Sequence, residues 1–451
     1  MVSFYKPEKK SSNNKPKVLK DIRIDSLDMQ GNGVCRSQQP VLFVEGALAG
    51  ETVNVRITHA QKQTARAITT KVVTPSDKRQ QPFCEVYQQC GGCQLQHVDA
   101  DSALTERQQA MSDYWTRQFG LQDLPWQPAL TGPRPQYRRK ARLAIDGRTP
   151  GAVKLGYRRQ GSNAVVDIPD CPILVPSLQA LIVPLKTLLN QHPNSRHLGH
   201  IQVLAGDNIA QISVKTSRDL SEAMHQDLAA FGEQHQCNVV LEDQHNKQHP
   251  LHHKATLVCH TEDNLQLTPA PEDFVQVNAT VNQKMIAQAM AWLAPQPGEV
   301  IADWFAGLGN FALSLAQRGA RVHAVEGVAA MVAKGQANAQ AQGIDSIQWQ
   351  HQDLSDPKVV EAALTADFDK VILDPSREGA QAVCEALARH PVSKVVYVSC
   401  NPSSFTRDLR LLLAAGYQVE KIGLVEMFPY TRHLEVMALL SFPRNVTVKA
   451  S

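Results

Sequence analysis

Apolar positions in the last third of the chain fall into short runs that alternate with stretches of helical spacing. VIADWFA is followed by ALSLAQRG, ARVHAVE by VAKGQANAQAQG, DKVILDP by AVCEALARH, and KVVYVSC by RDLRLLLAAG. Two more apolar runs, YQVEKIGLVEMF and HLEVMALLSF, close the pattern. β-branched and aromatic runs of this length read as buried strands, and three- and four-residue spacing reads as amphipathic helix. The alternation predicts an α/β architecture over 269–451, a doubly wound parallel sheet with ligands at the carboxyl ends of its strands.

Residues 21–75 have a different rhythm. DIRIDSLDMQGNGVCR, PVLFVEGALAGETVNVRI and ARAITTKVV alternate apolar and polar positions and break at Gly31, Gly33, Gly46 and Gly50. Short strands at that spacing predict a five-stranded barrel of the OB kind. Residues 76–268 mix strand-like and helical runs and form a central α+β domain. Within it EDQHNKQHPLHHK brings His245, His249, His252 and His253 together, which we read as a hydrophilic loop rather than a metal site. A chain of 451 residues has room for these three domains at roughly 150 residues each.

Hydrophobic content of 43% with 20% charged residues is that of a globular protein in water. No apolar segment has the length of a membrane span, and the start MVSFYKPEKKSSNNKPK lacks the apolar core of a secretory signal, so a cytoplasmic location is expected. The net charge of +3 gives no general attraction to polyanions, but its distribution does. Residues 1–20 carry Lys6, Lys9, Lys10, Lys15, Lys17 and Lys20 against Glu8 alone and read as a basic disordered tail. Arg134, Arg138, Arg139, Lys140, Arg142, Arg148, Lys154, Arg158 and Arg159 face only Asp146, with Tyr137 and Tyr157 placed between them. Cations interleaved with aromatic rings suit a nucleic-acid surface, where Tyr137 and Tyr157 would stack on bases; a solvated strand face is the alternative.

Chemistry concentrates at the ends of the C-terminal strands. In DWFAGLGNFA, Gly307, Gly309 and Ala312 form a G-x-G-x-x-A turn after the first strand, and Glu326 ends the second. Such a pair cradles a nucleoside, with the carboxylate on its ribose hydroxyls, but does not separate NAD from S-adenosylmethionine. Asp353 stands where a third strand end reaches an adenine amine. Asp374 in ILDPSREGA, with Arg377 beside it, ends the fourth strand, Cys400 ends the fifth, and Glu435 opens the last. A thiol with a carboxylate suits methylation of a pyrimidine at C5. Sulfur adds to C6, which makes C5 a nucleophile, and a base later removes the C5 proton so that sulfur leaves. Cys400 and Glu435 fit those two roles, with uracil and cytosine both open as the ring.

CEVYQQCGGCQ spaces Cys84, Cys90 and Cys93 as C-x5-C-x2-C, and DIPDCPIL adds Cys171. Four thiolates in a reducing compartment can hold zinc or an iron–sulfur cluster, and the uneven spacing favours [4Fe–4S]. Cys35, Cys237, Cys259 and Cys384 read as core residues.

Taken together, CEVYQQCGGCQ, DFVQVN, DWFAGLGNF, VE, DPSREGA, SCNP and HLEV stand in the order found in RNA uracil-5-methyltransferases, which the chain resembles over nearly its whole length. The resemblance implies an N-terminal TRAM domain and a [4Fe–4S] cluster on Cys84, Cys90, Cys93 and Cys171. It also implies S-adenosyl-L-methionine held by Gln276, Phe305, Asn310, Glu326, Asp353 and Asp374, with Cys400 as nucleophile and Glu435 as base. The combination of TRAM domain and cluster ligands implies 23S ribosomal RNA as the partner, with a flipped uracil in an unpaired loop or bulge. A monomer is expected. Ala306 and Ser376 depart from the family pattern, where Cys and Pro are common, at positions that carry none of these roles.

Overall fold

The last strands of the chain form a sheet whose spatial order reverses at its middle. In the computed structural model, which describes residues 17–364 and 367–443, the order is Ile347–His351, Arg321–Glu326, Val300–Trp304, Lys370–Leu373, Lys394–Ser399, Glu435–Ser441 and Gln418–Val425. The first five run parallel. The last two add an antiparallel edge to the expected doubly wound parallel sheet, because Glu435–Ser441 pairs antiparallel with both of its neighbours. The link between those two strands, residues 426–434, is too short for the crossover that a parallel pair needs. The order reverses beside Val300–Trp304, where an open α/β sheet leaves a crevice. Strand Lys370–Leu373 is buried throughout, as a sheet covered on both faces requires.

A segment that precedes the central sheet in sequence extends this one. Trp126 and Leu130 bridge Ile422 and Val425, with backbone bonds from Gln127 and Leu130 to the carbonyls of Ile422 and Leu424. The outer strand therefore has no open edge along this stretch. Trp115 anchors the segment: fully buried, it stacks on Trp126 with ring centroids 6.1 Å apart and donates from Nε1 to Thr406 Oγ1 at 2.8 Å.

The central sheet has seven strands, in the order Gln248–His252, Asn238–Glu242, Ala210–Thr216, Leu198–Ala205, Lys140–Asp146, Lys154–Arg158 and Val165–Asp167. Helix Pro176–Gln191 lays Leu178, Leu181, Ile182, Leu185 and Leu189 against it, and carries Pro at its start, where the missing N–H costs nothing. One contiguous apolar core runs from Leu143 and Leu155 through helix Ala279–Leu293 to Val396 and Leu439. Central and C-terminal sheets thus share a single interior.

The described chain forms two compact units. One holds the chain up to Gln81 with Leu95–Asp113; the other holds Pro82–Gln94 with the chain from Tyr114 onward. The first unit is a six-stranded sheet rather than the expected five, and two of its strands, Ser26–Leu27 and Gly33–Cys35, are short and pair with each other. Its first strand, Val18–Arg23, begins inside the stretch read as tail; the lysines before residue 17 lie outside the described residues. Ile22, Ile24, Leu42, Val44, Val53, Val55, Ala65 and Ala67 form its core. Beside that core the carboxylate of Glu51 is fully buried and held by Arg79 through Nε at 2.5 Å and Nη2 at 2.7 Å. Burial alone would raise its pKa, but the Arg79 bonds and the amides of Leu48 and Ser76 lower it overall. No described helix is long and apolar enough to cross a membrane.

Candidate active site

The glycine turn after Val300–Trp304 is built from left-handed backbone. Phe305, Gly307 and Gly309 have φ of 70°, 59° and 98°. Glycine adopts such angles freely, whereas Phe305 is strained by them, and strained backbone of this kind is held by its surroundings. Here the amides of Phe305 and Ala306 both donate to the carbonyl of Val325, at 2.9 and 3.0 Å. A Cβ on Gly309 would sit 3.1 Å from the Trp349 ring, so a side chain there is strained and crowded. Glu326 completes the turn: its carboxylate accepts from the amides of Gly307 and Val328, each at 3.0 Å.

Behind the turn, Asn310 and Asn282 exchange a pair of amide bonds at 2.9 and 3.0 Å. Asn282 lies on helix Ala279–Leu293, which Asn278 caps by accepting from Val281 N. Gln276, two residues before that cap, donates from Nε2 to Asp374 Oδ2 at 3.2 Å. On the fifth strand Asn401, next to Cys400, caps helix Pro402–Ala414 and donates from Nδ2 to the carbonyl of Arg377 at 2.8 Å. The S-C-N-P run thus ends a strand, starts a helix and ties down the loop that carries Arg377.

These elements close around one cavity of about 460 Å³. Gln276, Phe305, Asn310, Glu326, Asp374, Cys400 and Glu435 all line it, so seven of the eight residues expected at the catalytic and cofactor positions meet there. The eighth, Asp353, lines an adjoining groove of about 1000 Å³ that shares Phe305, Glu326, Ser376 and Arg377 with the cavity. Its carboxylate accepts from the amide and hydroxyl of Ser355, which lower its pKa.

The acids of the cavity are buried, and that sets their protonation. Burial, then the neighbouring Asp374, pushes the Glu435 carboxyl up to about 8, while Arg377 opposes the shift. Burial pushes Asp374 up to about 7 against the pull of Gln276. Asp303, fully buried on the strand before the turn and outside the cavity lining, is raised to about 8 by burial and by Asp374. Burial and the same two acids, Glu435 and Asp374, push the Cys400 thiol up to about 11. At neutral pH the cavity therefore holds a thiol and a proton-rich set of carboxyls.

Several lining residues were not singled out for this site in the sequence. Arg139 is buried, donates from Nε to the carbonyl of Gln276 at 2.8 Å and lies 3.8 Å from Asp207. Cys259 and Phe274 reach the cavity from the same side, and Phe428 and His433 from the turn before Glu435. DFVQVN was a visible signal for Phe274; Arg139 was visible only as one charge among nine. That basic stretch divides by burial. Arg134 pairs with Glu426 and Arg139 turns inward, while Arg142, Arg148, Lys154, Arg158 and Arg159 are exposed. Tyr137 is buried and Tyr157 half-buried, so neither presents an open ring for base stacking. The residues between the cations pack inward because strand Lys140–Asp146 and its neighbours need an apolar face.

Both tyrosines instead face the cysteines. The Tyr157 hydroxyl lies 3.9 Å from Cys171 Sγ, and Cys93 and Cys171 both act on Tyr137. Cys84 acts on Cys90, and Cys90 on Cys171, each thiol being pushed up chiefly by burial. Gly92 N donates to Cys90 Sγ at 3.4 Å, and a Cβ on Gly91 would come within 3.0 Å of the Arg158 carbonyl. The chain is therefore folded tightly around these sulfurs. Among the described residues no cysteine is in a disulfide, and no three His, Cys, Asp or Glu side chains stand in metal-binding geometry.

Comparison with known proteins places this arrangement. Residues 137–442 match the family described as tRNA (Uracil-5-)-methyltransferase, and residues 20–70 match the TRAM domain. The chain belongs to the RNA uracil-5-methyltransferase family. Among curated relatives, it is similar to the "23S rRNA (uracil(1939)-C(5))-methyltransferase RlmD" of Alteromonas naphthalenivorans, with 50% identity over 93% of this chain and 89% of the relative. The protein of the same name from Shewanella sp. (strain ANA-3) is 39% identical over 98% of this chain and 100% of the relative. Among solved structures, the Pyrococcus abyssi tRNA (uracil-54, C5)-methyltransferase in complex with S-adenosyl-L-homocysteine aligns with a TM-score of 0.71 and 21% identity. That alignment covers 93% of this chain and 99% of the other, and shows a shared fold.

Proposed function

We propose that this protein methylates C5 of a single uracil in 23S ribosomal RNA, the one its relatives' names place at 1939, with S-adenosyl-L-methionine as donor. The observation that carries the reading is the meeting of Cys400, Glu435 and Asp374 in one cavity with the glycine turn and Glu326. Gln276, Phe305, Asn310, Glu326 and Asp374 hold the cofactor there, with Asp353 at the adjoining groove. The donor supplies an electrophilic methyl group when bound. Cys400 adds as thiolate to C6 of the ring and raises electron density at C5, where the new carbon–carbon bond would form as the donor's sulfur–methyl bond breaks and its electron pair stays on sulfur. Glu435 then takes the C5 proton, the C5–C6 double bond returns and sulfur leaves with its electron pair. A carboxylate whose proton affinity is raised to about 8 is well matched to that task.

Cys84, Cys90, Cys93 and Cys171 are assigned to a [4Fe–4S] cluster on their C-x5-C-x2-C spacing and the amide directed at Cys90 Sγ, although among the described residues no three such side chains stand in metal-binding geometry. The cluster would cross-link the loop before residue 94 to that of Cys171; the reaction itself moves no electrons through iron. The TRAM module and the exposed arginines grip RNA around an unpaired, flipped uracil, and the protein acts as a cytoplasmic monomer.

Nucleotide-resolution mapping of 5-methyluridine in ribosomal RNA, from cells with and without the gene, tests the substrate. One uracil should lose its methyl group, and an unchanged map refutes the assignment. Cys400→Ser should lower turnover by at least about 10³-fold and abolish trapping on RNA carrying 5-fluorouracil. Protein purified without oxygen should contain iron and sulfide in equal amounts; their absence removes the cluster.

A further inference from the structure

The cysteine loop touches the turn that delivers Glu435, and Gln94 supplies both a backbone and a side-chain bond of that contact. Gln94, directly after Cys93, accepts at Oε1 from the amide of Arg432 (3.3 Å), and its own amide donates to the carbonyl of Tyr430 (2.9 Å). From the same carboxamide, Nε2 donates to the carbonyl of Gly91 at 2.8 Å, within the Cys-Gly-Gly-Cys run. Its carbonyl accepts from the Tyr87 hydroxyl at 2.6 Å. Phe83, beside Cys84, adds an edge-on ring contact to Tyr430 at 5.0 Å. Tyr430 stands at φ 64°, a left-handed angle that a tyrosine keeps only when its surroundings hold it. Three residues past Arg432, the chain presents Glu435 to the cavity, with His433 between them.

We propose that Gln94 is a positioning residue for the proton-abstraction step, fixing the turn Pro429–His433 so that Glu435 meets the C5 proton. This rests on the reading of Cys400 and Glu435 given above. Gln94 does not line the cavity, so it acts on the second half of the reaction through Glu435 and leaves the addition of sulfur to Cys400. In that second half the C5–H bond breaks toward the Glu435 carboxylate, its electrons restore the C5–C6 double bond, and the C6–S bond breaks to release thiolate.

The experiment separates the halves with two RNAs of the same sequence, one bearing uracil and one bearing 5-fluorouracil at the target. The fluorinated ring has no C5 proton to lose, so its methylated adduct forms without the base and stays on the protein. Gln94→Leu, which keeps the size and loses both side-chain bonds, is expected to turn over uracil RNA about 10- to 100-fold more slowly. Its trapping rate on the fluorinated RNA should stay within about twofold of the parent, and a covalent species should accumulate on uracil RNA in denaturing gels. Gln94→Glu, which keeps an acceptor for the Arg432 amide, should recover most of the loss. Should the leucine variant not fold, Gln94→Ser, too short to reach Arg432, carries the same expectations. Turnover within about twofold of the parent overturns the proposal, as does trapping that falls in step with turnover, which marks a merely structural or RNA-binding role. If the parent itself traps nothing, the covalent reading fails first, and that outcome is visible before any variant is compared.

Discussion

Glu435 is the residue at which burial and chemistry are most directly coupled. Its carboxyl moves from 4.5 to about 8 because the fold removes it from water and sets Asp374 beside it. The folded state therefore favours the protonated form. That costs nothing below about pH 4.5, grows as pH rises toward 8, and is constant above. Glu435→Gln should for this reason be more stable than the parent at pH 8, on the order of a few kcal/mol, with the gain vanishing near pH 4.5. Thermal unfolding at the two pH values checks it, and a loss of stability at pH 8 contradicts it. In its proposed role as base Glu435 acts deprotonated, so steady-state turnover should rise with pH through about 8. Gly309 offers a second test. At φ 98°, with Trp349 3.1 Å from any added Cβ, Gly309→Ala should cost about 1–2 kcal/mol and weaken cofactor binding, read by calorimetry.

At the scale of elements, the groups proposed as catalytic are delivered by strand ends and then fixed by the turn or helix that comes next. Asn401 shows the device: one side chain caps the helix after Cys400 and holds the Arg377 loop. Much of this was legible in the sequence. Strand runs, the G-x-G turn and the order of Asp374, Cys400 and Glu435 along the chain all arise from local pattern, because strand alternation and turn chemistry are local properties. The antiparallel final pair and the Trp126–Leu130 extension were not legible. Both depend on pairings that local pattern does not encode, and the run around Trp126 has no strand-like alternation. Trp115 holds that extension, so Trp115→Ala should destabilise by about 3–5 kcal/mol in urea unfolding. A change below about 1 kcal/mol would mean that the extension does not depend on the stacked pair.

For the whole molecule, the division into two units cuts across the linear order. Leu95–Asp113 lies with the TRAM module, while Pro82–Gln94, which carries three of the four proposed cluster ligands, lies with the catalytic body. Within the first unit Leu95, Val98 and Ala103 bury against Leu27 and Leu48. A chain starting at Pro82 should consequently keep its cofactor affinity but expose that apolar face, bind a hydrophobic dye and self-associate. A monomeric, dye-silent product would show that the segment needs no cover from the barrel.

The sequence by itself determined which elements form and which side chains stand at their ends, because alternation, glycine turns and capping residues act over a few neighbours; the closing of those ends around one cavity belongs to the tertiary structure. Tertiary structure decided burial and long-range contact. It turned Tyr137 and Arg139 inward from a stretch that reads as a basic surface, raised the proton affinities of Asp374 and Glu435, and set Gln94 against Arg432. The physical reason is one of range. Desolvation, and hydrogen bonds between residues more than three hundred positions apart, exist only once the chain has closed upon itself.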